Sequence, residues 1–253
     1  MSECTSPSTL VLCPGLLCDA GLWMSQTAAL AARAKCFVPD YGLRRSIHAM
    51  ARAVLKDAPT GPLSLAGHSM GGRVALEIQR LAPHRVQRLA LLNTGTHARA
   101  AGAAGKAERT RRLAQLATAQ RDGMRAMGRA WVPGIVHPDR ADSPLFEALL
   151  QMLERSTPER FAAHIEAQLK RRDTFAQLAS VRCPTLVLCG QQDTWSPLAQ
   201  HQKIADAIPG AHLEVVEHCG HMSPMERPDA VTRALHTWLD RPIRAHADAV
   251  GAP

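Results

Sequence analysis

Aromatic residues are scarce in this chain of 253 residues, which has one Tyr, four Phe and four Trp. Surfaces that read unpaired nucleic acid stack bases on aromatic rings, so this scarcity, with no recognised binding motif, argues against a nucleic-acid partner. The seven cysteines, Cys4, Cys13, Cys18, Cys36, Cys183, Cys189 and Cys219, are odd in number and include no C-x-x-C pair. Neither a disulfide framework nor a zinc site is suggested, and reduced thiols in a cytoplasmic protein are expected. Residues Met1 to Thr9 carry Glu3 but no Lys or Arg, and Pro14-Gly15 soon interrupts the apolar run that follows. Neither a signal peptide nor a membrane span is expected there.

What the chain does contain is 46% apolar and 21% charged residues, ordinary usage for a soluble chain long enough to bury one full core. The balance is basic, at a net charge of +8. Much of the excess lies between Arg99 and Arg129, where eight basic residues meet only Glu108 and Asp122. Arg121, Arg125 and Arg129 recur at i, i+4 and are expected to share one helix face. Two readings follow: a solvated face, or a docking surface for an acidic carrier protein or an anionic substrate.

Short apolar runs closed by turn residues mark strands at Thr9–Cys13, Leu63–Ala66, Arg88–Leu92, Thr185–Cys189 and His212–Val216. Helical patterns lie between them, at Thr27–Ala34, Ser46–Ala58, Gly72–Leu81, Ala199–Ala207 and Pro228–Leu239. Such alternation implies an α/β fold with a mostly parallel sheet and helices on both faces. From Thr96 to Ala179 it stops, because Ala, Leu, Arg, Gln, Glu and Met dominate and no β-branched run occurs. An all-helical insertion is expected over 96–179, between core segments 1–95 and 180–240, with 241–253 a loose tail. Breaks between its helices fall near Val132-Pro-Gly134, His137-Pro138, Ser143-Pro144 and Thr157-Pro158.

Gly67-His68-Ser69-Met70-Gly71 fits G-x-S-x-G, with a strand before it and a helical pattern after it. The turn lifts the Ser69 hydroxyl out of the sheet, and glycines are needed where a Cβ would strike the neighbouring strand or helix. Serine is a poor nucleophile at neutral pH, so it needs a base, and the base needs an acceptor to fix its tautomer. His221 is the preferred base among twelve histidines, since its loop leaves the last strand where a parallel sheet brings it beside Ser69. His218 is the nearest rival; the pair spells H-x-x-H, but nothing at recognised spacing completes a metal site. His68 is expected to pack or hydrogen bond to a loop. Asp193, in Gly190-Gln-Gln-Asp193, emerges at the same sheet edge as the orienting acid, whereas Asn93-Thr-Gly-Thr96 offers no carboxylate. For the oxyanion, Met70 N–H is one donor and Leu16 N–H, after Pro14-Gly15, is the other, with Leu17 the alternative.

The stretches VLCPGLLCDAGLW, VPDYG, GHSMGG, CPTLVLCGQQDTWSP and EHCGHMSPMERP, with the chain order Ser69, Asp193, His221, resemble the small capped esterases and lactonases of the α/β-hydrolase superfamily. The resemblance covers nearly the whole chain; where the family's first loop more often begins His-Gly, this chain has Pro14-Gly15. It implies an eight-stranded, mostly parallel sheet, a helical cap between strands six and seven, and no cofactor. It also implies hydrolysis of an ester, thioester or lactone, with Trp131, Met127, Phe146 and Phe161 of the cap, and Leu17, as candidate pocket residues. The expected activity is carboxylesterase cleavage of a small or medium-sized ester through an acyl-enzyme. A lactonase, a carbon–carbon bond hydrolase, a methyl esterase acting on an acyl carrier protein, and a non-catalytic ligand receptor are the alternatives.

Overall fold

The computed structural model describes residues 9–243 except residue 142. Strand β1 (Thr9–Cys13) lies wholly in the interior and pairs on one side with β2 (Lys35–Phe37) and on the other with β3 (Leu63–His68). Next come β4 (Val86–Leu92), β5 (Thr185–Gly190) and β6 (His212–Val216), giving the order β2-β1-β3-β4-β5-β6 with every pairing parallel. The central strands read as unbroken apolar runs because both faces are covered. β2 was not anticipated: three residues, Lys-Cys-Phe, are too few to show a period.

Eight strands were expected, and six form among the described residues. The long interval after β4 adds none, being helices, 3-10 turns and loops, so the insertion lies between the fourth and fifth strands. The expected tail overlaps the described residues only at Arg241–Ile243. No described helix is long and apolar enough to cross a membrane.

Helix α1 (Met24–Leu30) precedes β2, α2 (Ile47–Asp57) precedes β3 and α3 (Met70–Leu81) follows it. α2 begins where it does because the Ser46 hydroxyl accepts the Ala49 N–H at 3.1 Å, satisfying one of the first-turn donors. It buries Ile47, Met50, Ala51 and Val54, a stripe at i, i+3, i+4, i+7, and packs beside α3, which lies across β1, β3 and β4.

The insertion is built from α4 (Gly102–Asp122), α5 (Met124–Trp131), α6 (Pro144–Glu154) and α7 (Pro158–Leu169). α7 is capped by Thr157, whose hydroxyl accepts the Arg160 N–H at 3.2 Å. The shared face expected for Arg121, Arg125 and Arg129 does not form. Gly123 at φ +89° separates α4 from α5, leaving Arg121 on the first helix and the other two on the second. Arg125 sits between Glu147 and Glu154 of α6, at 2.6 and 2.7 Å. The sheet then continues into α8 (Leu198–Ala207), the short α9 (Ser223–Glu226) and α10 (Pro228–Leu239), which packs on α1.

Because all strands run the same way, their C-terminal ends share one edge: His68 pairs with Leu92, Leu92 with Leu188, and Gly190 with Val216. The segments that leave this edge, starting at Pro14, Val38, Ser69, Asn93, Gln191 and Glu217, therefore emerge on one side, where Leu16, Ser69 and His221 meet Trp131 and Leu149 of the insertion.

Candidate active site

Ser69 follows the last residue of β3 and precedes α3, with φ +54°, a value that non-glycine residues rarely take. The turn is tight enough that a Cβ on Gly67 would come within 2.4 Å of the Gly71 carbonyl oxygen, and one on Gly71 within 2.1 Å of the Cys13 oxygen. Backbone bonds fix it from both sides: Ser69 N–H donates to Leu92 O at 2.9 Å, and the Thr94 hydroxyl donates to Ser69 O at 2.6 Å.

His221 stands five residues past β6. Its Nε2 lies 2.9 Å from Ser69 Oγ, and its Nδ1 lies 2.8 Å from Asp193 Oδ2. Asp193 is 4% exposed. Its Oδ1 accepts the Trp195 and Ser196 N–H groups, each at 2.9 Å, and its Oδ2 also accepts the Asn93 amide at 2.9 Å. Burial alone would raise this carboxyl, but the charge and hydrogen bond of His221, with the Asn93 and Ser196 donors, outweigh it and hold the group down at about 2. An ionised carboxylate can only accept, so in the neutral form of the imidazole the proton sits on Nδ1 and the Nε2 lone pair faces the Ser69 hydroxyl. Such an arrangement can withdraw a proton from Oγ as it attacks an electrophilic carbon.

Three further side chains hold His221 and its loop. His68 Nε2–H donates to the His221 carbonyl at 2.8 Å, and burial keeps this second imidazole neutral by pushing it down to about 3. Asn93 bridges Asp193 to the Gly220 carbonyl, at 3.2 Å from the latter, and its own carbonyl accepts the Ser223 hydroxyl at 2.5 Å. Glu226 takes the Gly220 and Met222 N–H groups at 3.0 and 2.9 Å, and the His137 N–H of the insertion at 2.7 Å. The roles of Asn93 and Glu226 had no sequence signal, because a capping carboxylate and a bridging amide are recognisable only once distant loops meet. His218, at φ +49°, lies against the His137 ring, and no group of three or more His, Cys, Asp or Glu among the described residues could hold a metal ion.

Met70 opens α3, so its N–H is one of the first-turn amides without an intrahelical acceptor. Leu16 lines, with Ser69 and His221, an apolar cavity walled by Trp131, Val132, Ile135, Leu149 and Met152. Of the five residues expected to shape a pocket, only Trp131 lines it. Phe161 is fully buried behind that indole, its ring centroid 6.4 Å away; Met127 is buried within the insertion and Leu17 in the core, while Phe146 is half-buried on α6. The spacing of Leu149, Met152 and Leu153 on α6 was a findable signal, an i, i+3, i+4 apolar stripe.

A model of the alpha/beta hydrolase family matches residues 10–234. The chain is an α/β-hydrolase. Among solved structures this α/β-hydrolase is similar to a thermophilic esterase from Thermogutta terrifontis, with a TM-score of 0.83 and 28% identity over 92% of this chain and 89% of that one. An enol-lactonase from Burkholderia xenovorans LB400 shares the fold, at a TM-score of 0.80 and 22% identity over 95% and 94% of the two chains. In sequence it is 28% identical, over 210 residues, to the 2-hydroxy-6-oxononadienedioate/2-hydroxy-6-oxononatrienedioate hydrolase of Escherichia coli (strain K12), covering 81% of this chain and 72% of the relative.

Proposed function

We propose that the protein is a serine hydrolase that cleaves a carboxylic ester of a small or medium-sized substrate through an acyl-enzyme. The observation that carries this reading is the unbroken hydrogen-bonded line from Ser69 Oγ through His221 to Asp193, set at the wall of a cavity. Oγ attacks the carbonyl carbon while its proton passes to His221 Nε2. The N–H groups of Met70 and Leu16 stabilise the oxyanion of the tetrahedral intermediate, whose collapse breaks the ester bond as His221 protonates the departing alcohol. Water, losing a proton to His221, then attacks the acyl carbon and frees the acid and Ser69.

Carbon–carbon bond hydrolysis is the second reading, favoured by the Escherichia coli relative; a lactonase uses the same steps on a cyclic ester. A cytoplasmic location is supported by the unpaired thiols of Cys13, Cys18, Cys36, Cys183, Cys189 and Cys219. A small-molecule substrate is favoured over an acidic carrier protein because glutamates of the insertion already meet Arg125.

Fluorophosphonate labelling and a panel of p-nitrophenyl esters, lactones and 1,5-diketones test the reading together. Labelling at Ser69 and ester turnover, both lost in Ser69→Ala, are expected. A Ser69→Ala variant that keeps wild-type turnover ends the proposal, and faster cleavage of the diketones than of any ester moves it to the second reading.

A further inference from the structure

A second cavity opens on Ser69 and His221, adjoining the apolar one. The two share Ser69, His221, Arg112, Gln168 and Trp195, and the second is the roomier, with about 760 against 510 Å³ of empty space. Its walls hold four guanidiniums: Arg73 from α3, Arg111 and Arg112 from α4, and Arg171 just past α7. Among the described residues one carboxylate, Glu108, lines it, and a second, Asp173, is paired with the lining residue His97 at 3.1 Å. Glu108 is committed to Arg112 at 3.0 Å and Arg171 at 2.8 Å, and although burial opposes its charge, those two cations hold it down at about 2.

Arg73 and Arg111 are ion-paired to no carboxylate among the described residues. Arg73 donates to the His97 carbonyl at 3.0 Å, and a Cβ on Gly95 would meet its Nη2 at 3.0 Å, which fixes the guanidinium against the loop leaving β4. Arg111 lies over the Trp195 ring, 5.5 Å from its centroid, and that ring is 6.3 Å from the imidazole of His221. Burial, together with the Arg171 and Arg112 charges, weakens proton binding at Arg73 against the opposing pull of Glu108 and Asp173. A site whose four guanidiniums outnumber Glu108 and Asp173 beside a reacting group favours a substrate that supplies the missing negative charge.

Resting on the serine-hydrolase reading, we propose that the substrate is an ester bearing a carboxylate near its scissile carbonyl, and that Arg73 and Arg111 bind this carboxylate while the apolar cavity takes the uncharged half. The ester carbonyl then sits at the junction of the two cavities, where Ser69 stands.

Two pairs of probes place the anion on either side of the ester: monomethyl against dimethyl glutarate, and 4-acetoxybutyrate against butyl acetate. In at least one pair the anionic ester is expected to have the higher kcat/KM by about tenfold or more, the contribution of one charge-assisted hydrogen bond. Arg73→Gln and Arg111→Gln should each reduce that ratio by about the same factor. Arg111 is exposed, so its variant folds even where loss of the Arg73 bond to His97 disturbs the loop. Ratios near one in both pairs, ratios unmoved by either substitution, or no turnover of any of the four esters by a chain whose Ser69 is labelled by fluorophosphonate overturn the inference alone. Absence of both labelling and turnover overturns the hydrolase reading beneath it.

Discussion

Asn93 and Asp193, 100 residues apart, meet at 2.9 Å, and the oxygen that accepts the Asn93 amide is the one that faces His221 Nδ1. Asn93 follows β4 and Asp193 follows β5, so the bond joins two neighbouring strand ends at the height of the reacting groups. The Ser223 hydroxyl, donating to the Asn93 carbonyl, leaves the amide only one orientation.

Replacing Asn93 by Ala removes a donor from a buried carboxylate and loosens the aim of His221. The expected result is a fall in kcat of about tenfold to a hundredfold with KM little changed, since transition-state and not ground-state contacts are lost. A rise in KM at constant kcat, measured by steady-state kinetics on a p-nitrophenyl ester, would assign Asn93 to substrate binding instead.

Asp193→Asn should cost far more, about 10⁴ in kcat, because an amide that donates to Nδ1 imposes the wrong tautomer on the imidazole. Fluorophosphonate labelling should slow in parallel. Labelling at the wild-type rate would show that the acid does not act through His221.

Buried imidazoles make the fold acid-sensitive, and burial lowers His201 as well as His68 and His164. Burial pushes His68 down to about 3 and His164 to about 4, from an ordinary value of 6.5. Below pH 6.5 the unfolded chain binds protons that the folded chain refuses, so stability is complete above that pH and is lost progressively as pH falls towards 3. By pH 4.5 each is expected to have removed roughly 2 to 3 kcal/mol. Urea titrations between pH 7 and 4.5 measure this, and His68→Asn should show a shallower decline; a flat wild-type profile would mean that folding lowers the proton affinity of neither ring.

Gly123→Ala tests the break between α4 and α5. At φ +89°, ψ 164° the backbone is in a region that glycine alone occupies freely, and a side chain there costs roughly 1 to 3 kcal/mol. A lowered Tm and a raised KM are expected together, since α5 carries Trp131 into the apolar cavity. An unchanged Tm would show that the two helices can join without strain.

The sheet and the loops bearing Ser69, Asp193 and His221 were legible because short apolar runs ending in turn residues carry their own punctuation, and parallel strands bring their ends to one edge whatever the loop lengths. The lining of the pocket was not. Amphipathicity shows that a helix has an apolar face but not what that face meets, so Phe161 and Met127 on the insertion looked equivalent to Trp131. Charge spacing misled for the same reason: Arg121, Arg125 and Arg129 obey an i, i+4 rule only if no residue between them ends the helix, and Gly123 does. Arg73 went unremarked because it stands on α3, far in sequence from the arginines it joins.

Glu226 has a mechanical consequence. By holding His137 of the insertion together with Gly220 and Met222 on either side of the base, its carboxylate makes that end of the lid and the catalytic loop a single rigid piece. Displacing the insertion at this end would drag His221 off Ser69, since the His221 N–H also donates to Ile135 O at 2.8 Å and the Trp195 indole to Gly134 O at 3.1 Å, so the alignment needed for attack survives only while these segments stay together.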